Sequence, residues 1–409
     1  MEPTYPALDM TSQLISISDL QIGMYVSALD LPWYRSPFLR HSFLVERDAQ
    51  IDKLVRAGVR AVTIDPTRGL APPSRHDEAA PSSPAAKFVP APIVKRFKPL
   101  AQLTEEFRQA KLAKQQLTQA VHSVFTTISK TGTVNTQQAA EAVQEIIIVT
   151  RTLTHSSLFM ALSQNQPGES MLSQHALTTC TLSLILGQAL QFNPLELQEL
   201  ATAALLHDVG LLQIKPALRH RIYSLSGLSQ AEKSEYESHP HRGVRALQGQ
   251  DGIDVPILHL IANHHAYLDD SGYPKEARGE FTSDRTRILM VADRYDELLT
   301  GFGGTTPLTS HQTFQRLYQE VRKGKLDERI VSTFITLIGI YPIHSHVRLN
   351  TQEVAVVTEL NQTQLHQPII TITHRPGGKE YPDPLVVNLA EQVDAHEPRS
   401  IETIIQLNI

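Results

Sequence analysis

The sequence predicts a mainly α-helical protein, with a small α/β domain ahead of the helices and a short β appendage behind them. Three observations predict it. Residues 101–165, free of proline, and residues 166–342 carry apolar side chains at helical spacing. Residues 70–100 hold 7 of the 25 prolines, a composition that stays extended and separates what lies on either side. After 342, short β-prone runs alternate with polar turns.

Taken in order, residues 1–69 read as the small α/β domain. Leu14-Ile15-Ser16-Ile17 alternates as a strand does, and Gly23, Pro32 and Pro37 mark turns. Ile51, Leu54 and Val55 make a helical face that stops at Gly58, and Val59 to Ile64 alternates as a second strand. Trp33, Tyr34 and Phe38 are read as core packing, with an apolar patch for a partner as the other reading. Residues 70–100 are a Pro/Ala-rich linker, and Lys95, Arg96 and Lys98 are read as its solvated end, with a basic binding patch as the other reading. Residues 101–165 form two helices broken at Thr133-Val134-Asn135 and lead into a helical domain at 166–342. Residues 343–409 form a small β appendage and tail, with strands at Val347–Leu349, Val354–Val357 and Ile369–Thr373.

Composition bounds the function. The 409 residues are 41% hydrophobic and 19% charged, so the chain can build cores. Net charge is −5, from 37 basic and 42 acidic residues, which gives no case for a nucleic-acid polymer or an anionic membrane as partner. A single cysteine, Cys180, cannot form an intrachain disulfide and fits a reducing compartment. The first residues lack a basic, then apolar, leader, and no run approaches the roughly 18 apolar residues of a membrane helix. A cytoplasmic protein is expected.

Histidine is the unusual component. Eight of 18 fall between His175 and His265. The helix before His207 has Asn193 as N-cap, Pro194 at its first position and Glu196 to complete a capping box. Its apolar face, Leu197, Leu200 and Ala204, runs on into His207 and Asp208. Ile257, Leu258 and Ile261 run on into His264 and His265 in the same way. Leu289, Asp293 and Asp296 share one face of a third helix, and His175 sits with Leu182 and Leu186 on a fourth. His239, followed by Pro240 and Gly243, is a further candidate. Buried imidazoles and carboxylates are costly unless they are paired or hold an ion. Several histidines with a bridging carboxylate suit Fe, Mn or Zn, and two such ions about 3.5–4 Å apart can clamp a phosphodiester.

The order of these motifs resembles the HD-GYP family of bacterial cyclic di-GMP phosphodiesterases, a branch of the HD metal-dependent phosphohydrolases. His175 takes the place of the first ligand, and His207-Asp208 is the HD pair in HDVGLLQI. His239 lies in HPHRG, His264-His265 open HHAYLDDSGYP, and Asp293 lies in VADRYDELL. The likeness covers roughly 150–350, including GIYP at 339–342, and IGMYVSALDLPWYRSPF resembles the small domain often found before HD-GYP domains. The resemblance implies an HD-type core of five helices with a two- or three-metal site, two divalent transition-metal ions being expected here, Fe or Mn, with Zn as an alternative. His175, His207, Asp208, His239, His264, His265 and Asp293 would be the metal ligands, with Asp208 bridging. His207 and Asp208 would be the catalytic pair, and Gly272, Tyr273 and Pro274 would shape the substrate wall. A metal-bridged hydroxide would open cyclic di-GMP to pGpG or onward to GMP. Protein partners of the same signalling system are also implied.

Four positions depart from the family pattern. Leu211 stands where a lysine is usual, Ala266 follows the histidine pair where glutamate is usual, and Leu299 to Thr305, with Phe302, replaces an arginine-bearing segment. Met171 stands where members with a third metal carry glutamate. Loss of one phosphate-facing donor costs about 10²–10³ in rate. Lys215 or Arg294 is a candidate to compensate, although Lys215 is more simply a surface residue. The sequence therefore supports a working phosphodiesterase and, as the alternative, a catalytically degenerate module that binds nucleotide or protein as a signalling scaffold. Asp296 is read either as a group orienting a ligand or as a cap or surface residue, and Cys180 as a small apolar core residue.

Overall fold

The computed structural model describes residues 13–29, 43–56, 59–70, 99–164, 170–223, 227–277, 279, 282–304, 306–361, 364–392 and 398–405. Trp33, Tyr34, Phe38 and nearly all of the linker at 70–100 lie outside the described residues. The chain divides into two compact units, Met1–Arg96 and Phe97–Ile409.

In the first unit, strands β1 (Gln13–Ser16), β2 (Tyr25–Leu29), β3 (Phe43–Leu44) and β4 (Ala61–Ile64) form an antiparallel sheet in the order β1-β4-β2-β3. The alternation in β4 turns Val62 and Ile64 into a core with Met24, Val26, Val45 and Leu54. Helix α1 (Asp48–Arg56) packs on that core through Ile51 and Leu54. Val55, expected on the same face, is 54% exposed, because one further residue rotates about 100° away from Leu54.

The second unit begins with α2 (Leu100–Thr131), which stops at Gly132 in the left-handed region (φ 73°). Asn135 then caps α3 (Thr136–Thr152), its side chain accepting from the Gln138 amide. Helix α4 (His155–Leu162) leads to α5 (Met171–Ala189) and α6 (Pro194–Leu206). The capping box of Asn193 and Glu196 is formed, with Pro194 in the first turn. After a tight turn of helix at Val209–Gln213 come α7 (Pro216–Tyr223), α8 (Gln230–Glu237), α9 (His239–Leu247), α10 (Val255–Asn263), α11 (Asp284–Thr300), α12 (Ser310–Arg322) and α13 (Glu328–Ile338).

Helix α5 is the axis of this unit. It packs against α2, α3, α6, α11 and α13. From Leu172 to Gly187 every residue except Gln174 is buried. A helix covered on all sides has no polar face. The one-sided stripe expected for His175 is therefore not what sets it apart, and Leu200 to Leu206 of α6 are likewise buried all round. Cys180 is in that core, its thiol pushed upward by burial and donating to the Ala201 carbonyl at 3.4 Å.

Five antiparallel strands close the unit: β5 (His346–Leu349), β6 (Val354–Glu359), β7 (Ile369–His374), β8 (Glu380–Asn388) and β9 (Ile401–Ile405), in the order β8-β7-β6-β5-β9. The three expected runs are the central strands. The region expected as a tail supplies β9, and β8 adds the opposite edge. Val347, Leu349, Ala355, Val357, Ile370 and Ile372 form the sheet's own core. His344 ties it to the helices: its Nε2 lies 2.7 Å from Ser157 Oγ and its ring stacks on Phe107. Among the described residues, no helix is long and apolar enough to cross a membrane.

Candidate metal centre

All seven expected ligands meet. His175 comes from the first turns of α5, His207-Asp208 from the end of α6, His239 from the start of α9, His264-His265 from the end of α10, and Asp293 from the middle of α11. Each is buried, with no more than 3% of its surface exposed.

Asp208 divides the cluster. Its Oδ2 lies 3.6 Å from His207 Nε2 and 3.7 Å from His175 Nε2. Its Oδ1 lies 3.0 Å from His239 Nε2 and 3.7 Å from His264 Nε2. Asp293 divides it a second time: Oδ1 is 3.1 Å from His175 Nε2 and 3.6 Å from His207 Nε2, and Oδ2 is 3.5 Å from His265 Nδ1. Three sets of donor atoms lie within 4.8 Å of one another: His175, His207 and Asp208; Asp208, His239, His264 and His265; and His265, Asp293 and Glu297.

The outward nitrogens of four imidazoles are already committed. His207 Nδ1 donates to the Ala204 carbonyl at 2.8 Å, His239 Nδ1 to Tyr236 at 2.8 Å and His264 Nδ1 to Ile261 at 2.7 Å. His175 Nδ1 bonds Asp296 Oδ2 at 2.7 Å, so Asp296 orients a ligand candidate rather than capping a helix or facing solvent. A ring whose Nδ1 carries the proton presents its Nε2 lone pair inward. Two such pairs approach closely, His175 to His207 at 3.2 Å and His239 to His264 at 3.1 Å.

The electrostatics favour a cation. Burial raises the Asp208 and Asp293 carboxyls, but the surrounding imidazoles outweigh it and hold both well below the usual carboxylate range. Burial pushes His264 below the usual histidine range and His265 well below it, so both are neutral near pH 7. Burial also lowers His175, yet Asp293 and Asp296 outweigh it and hold that imidazole well above its ordinary range. Asp208 Oδ1 is buried without a hydrogen bond of normal geometry. Ionised carboxylates, the neutral imidazoles of His264 and His265 and a buried oxygen without a hydrogen bond suit divalent ions of the borderline class, which compete with the protons that the carboxylates favour on His175 and His207.

The GYP segment walls one side. The Tyr273 ring centroid is 4.5 Å from that of His265 and 6.0 Å from that of His239. A Cβ on Gly272 would overlap the His265 carbonyl oxygen, so the turn lies against its own helix end only with glycine there. Pro274 follows, half-buried.

Three of the departures, Leu211, Ala266 and Phe302, are apolar and buried. Leu211 and Phe302 are at most 1% exposed, and Phe302 stacks on His175. Neither proposed replacement cation serves the cluster. Lys215 is exposed, and Arg294 is spent on carboxylates, Glu297 at 2.9 Å and Glu320 at 2.9 Å. Met171 is 37% exposed at the start of α5.

Sequence reasoning missed Tyr236 and Glu297. Tyr236 packs edge-on to Tyr273, with centroids 6.5 Å apart, and beside His239 at 5.2 Å. It sits on α8, a polar helix with no buried residue, and no periodicity signals it. Glu297 follows Asp293 by four residues on α11, a spacing that puts both on one face. Burial, followed by Asp293, pushes its carboxyl up to about 7.

Fold and site together define an HD-type helical domain whose donor set suits metal. Residues 156–330 match the family described as HD domain, and residues 12–139 match a domain of unknown function, DUF3391, a match that continues beyond the first unit into α3. Residues 156–330 are therefore an HD domain, and the DUF3391 match lies on its N-terminal side. It is 28% identical over 360 residues to cyclic di-GMP phosphodiesterase PA4108 of Pseudomonas aeruginosa, covering 88% of this chain and 84% of that protein. It is 22% identical over 234 residues to cyclic di-GMP phosphodiesterase PdeB of Borreliella burgdorferi, covering 57% of each. Among solved structures, Bd1817, an HD-GYP-type protein of Bdellovibrio bacteriovorus, is similar with a TM-score of 0.45 and 16% identity, over 79% of this chain and 98% of that one.

Proposed function

We propose that the protein is a metal-dependent phosphodiesterase that hydrolyses cyclic di-GMP to pGpG, GMP or both. The division of Asp208 between two sets of imidazoles carries this reading. His175, His207, Asp208 and Asp293 would hold one ion; Asp208, His239 and His264 would hold a second, with His265 within reach. Such ions supply positive charge to a phosphodiester and a nucleophile drawn from water near neutral pH. The chain does the rest. Asp296 and the carbonyls of Ala204, Tyr236 and Ile261 fix the tautomers of the ligand rings. Tyr236 and Tyr273, both half-buried, offer aromatic edges and hydroxyls to a purine or ribose at the wall of the cluster. The relatives named as cyclic di-GMP phosphodiesterases support the substrate.

A second reading follows from one observation: Leu211 and Phe302 bring no charge to the cluster, and Arg294 is turned onto Glu297 and Glu320. On that reading the domain binds the nucleotide or a protein partner and turns over slowly, as a signalling scaffold. Incubation of the metal-loaded protein with cyclic di-GMP, with products separated by chromatography, distinguishes the two. Formation of pGpG or GMP that disappears in His207→Ala and Asp208→Ala supports the enzyme. Intact cyclic di-GMP that remains bound supports the scaffold, and full hydrolysis by both variants rejects the site.

A further inference from the structure

Away from the metal cluster, α2, the first turn of α5, the turn at Val209–Gln213 and α7 enclose a cavity of about 250 Å³. Its polar lining is Arg219, His122, Thr126, Ser129, Ser170 and Ser173, and among the described residues no carboxylate lines it. None of the seven ligand candidates lines it either. Ser173 precedes His175 by two residues on α5, and residues two apart on a helix point about 200° apart. The cavity therefore lies on the side of α5 away from the cluster.

Three observations give the cavity the character of an anion site. First, α5 begins at it. The Met171 and Leu172 amides have no partner among the described residues, and the Ser173 amide has Ser170 Oγ at 3.5 Å. A helix of 19 residues also brings partial positive charge to that end. Second, Ser173 is 2% exposed and its buried Oγ has no hydrogen-bond partner among the described residues. A buried hydroxyl in that state is costly unless a ligand satisfies it. Third, Arg219 is half-buried and pairs with no carboxylate among the described residues; its Nη1 donates to the Leu212 carbonyl at 3.4 Å. A guanidinium with donors to spare, beside hydroxyls and a helix start, matches the oxygens of a phosphate. A smaller cavity of about 90 Å³ shares Ser129 and Leu212 with the first and adds Ile128, Val134 and Val209, which suit an apolar group attached to the anion.

We propose that this cavity binds a dianionic phosphate, free or as the terminal group of a small phosphorylated molecule, with Arg219, Ser173 Oγ and the first amides of α5 as its donors. The site stands independently of the metal-centre reading.

Calorimetric titration of full-length protein tests it, with a chelator present so that phosphate held on metal does not contribute. The probes are inorganic phosphate, GMP and guanosine. Saturable binding of inorganic phosphate, GMP or both is expected in wild type, weakened about tenfold or more in Arg219→Ala and severalfold in Ser173→Ala. GMP bound more tightly than inorganic phosphate supports the site as one for a phosphorylated molecule, and inorganic phosphate bound as tightly or more so supports it as one for free phosphate. Failure of both to bind, guanosine bound as tightly as GMP, or affinities unchanged in both variants overturns the site. Should Arg219→Ala fail to fold by circular dichroism, Ser173→Ala decides: weakened binding supports the site and unchanged binding rejects it.

Discussion

Phe302 lies flat against His175, with ring centroids 3.9 Å apart and planes 10° from parallel. The imidazole is thus held on its face by a phenyl ring, at Nδ1 by Asp296 and at Nε2 by Asp293. Phe302 is therefore part of the support for a metal ligand candidate. Phe302 is 1% exposed, and truncating a buried phenylalanine costs about 3–5 kcal/mol. Phe302→Ala is expected to lower the midpoint of thermal unfolding in chelator-treated protein and to weaken metal retention. An unchanged midpoint would mean that the stack contributes nothing.

Asp296 does not reach the cluster centre but fixes the His175 ring. Replacing such a group costs about 10–100-fold in metal affinity. Asp296→Asn keeps the shape and removes the charge, so it is expected to weaken binding by that factor in a chelator competition while leaving the fold in place by circular dichroism. Equal affinity in variant and wild type would remove Asp296 from the account.

Turnover is expected to be slow. With Leu211 and Phe302 apolar, the rate of cyclic di-GMP hydrolysis should fall about 10²–10³ below that of an HD-GYP relative carrying the cations. Side-by-side assays with a cyclic di-GMP phosphodiesterase that carries the lysine and the arginine check this. A rate equal to that protein's would contradict the expectation that the apolar Leu211 and Phe302 slow turnover.

The C-terminal sheet has its own acid-sensitive pair. Glu353 accepts from Arg399 Nε at 2.7 Å, from Thr351 Oγ1 at 2.6 Å and from Tyr381 Oη at 3.0 Å. Arg399 first, and these hydroxyls after it, hold the carboxyl below its ordinary value against burial. A depressed folded-state value stabilises the sheet above the unfolded carboxyl value, and the contribution disappears as pH falls through the folded one. Glu353→Gln is therefore expected to cost about 1–3 kcal/mol at pH 7 and to flatten the acid limb of a stability profile below the unfolded glutamate value of about 4.3. Parallel profiles for variant and wild type would contradict it.

The ligand set was legible because its motifs are local: HD, HPHRG and HH each end or begin a helix, and each helix end is marked by a cap or a turn residue. Their convergence is a property of the fold that spacing alone does not contain, and the family resemblance carried it. Strand β8 was not legible because Pro382 and Pro384 interrupt its pattern. The structure puts that strand at a sheet edge, where missing amide donors are tolerated. Helix α5 offered no usable stripe because it is buried on every side. Glu297 was open to discovery through its spacing from Asp293, yet on an exposed helix the same spacing signals a solvated pair.

The most direct measurement is the metal content of protein prepared without oxygen in the presence of Fe²⁺ or Mn²⁺, for wild type and Asp208→Ala. At least two ions per chain are expected in wild type and fewer than one in the variant, because both proposed subsites share that carboxylate. An Asp208→Ala protein that folds and holds as many ions as wild type would contradict it.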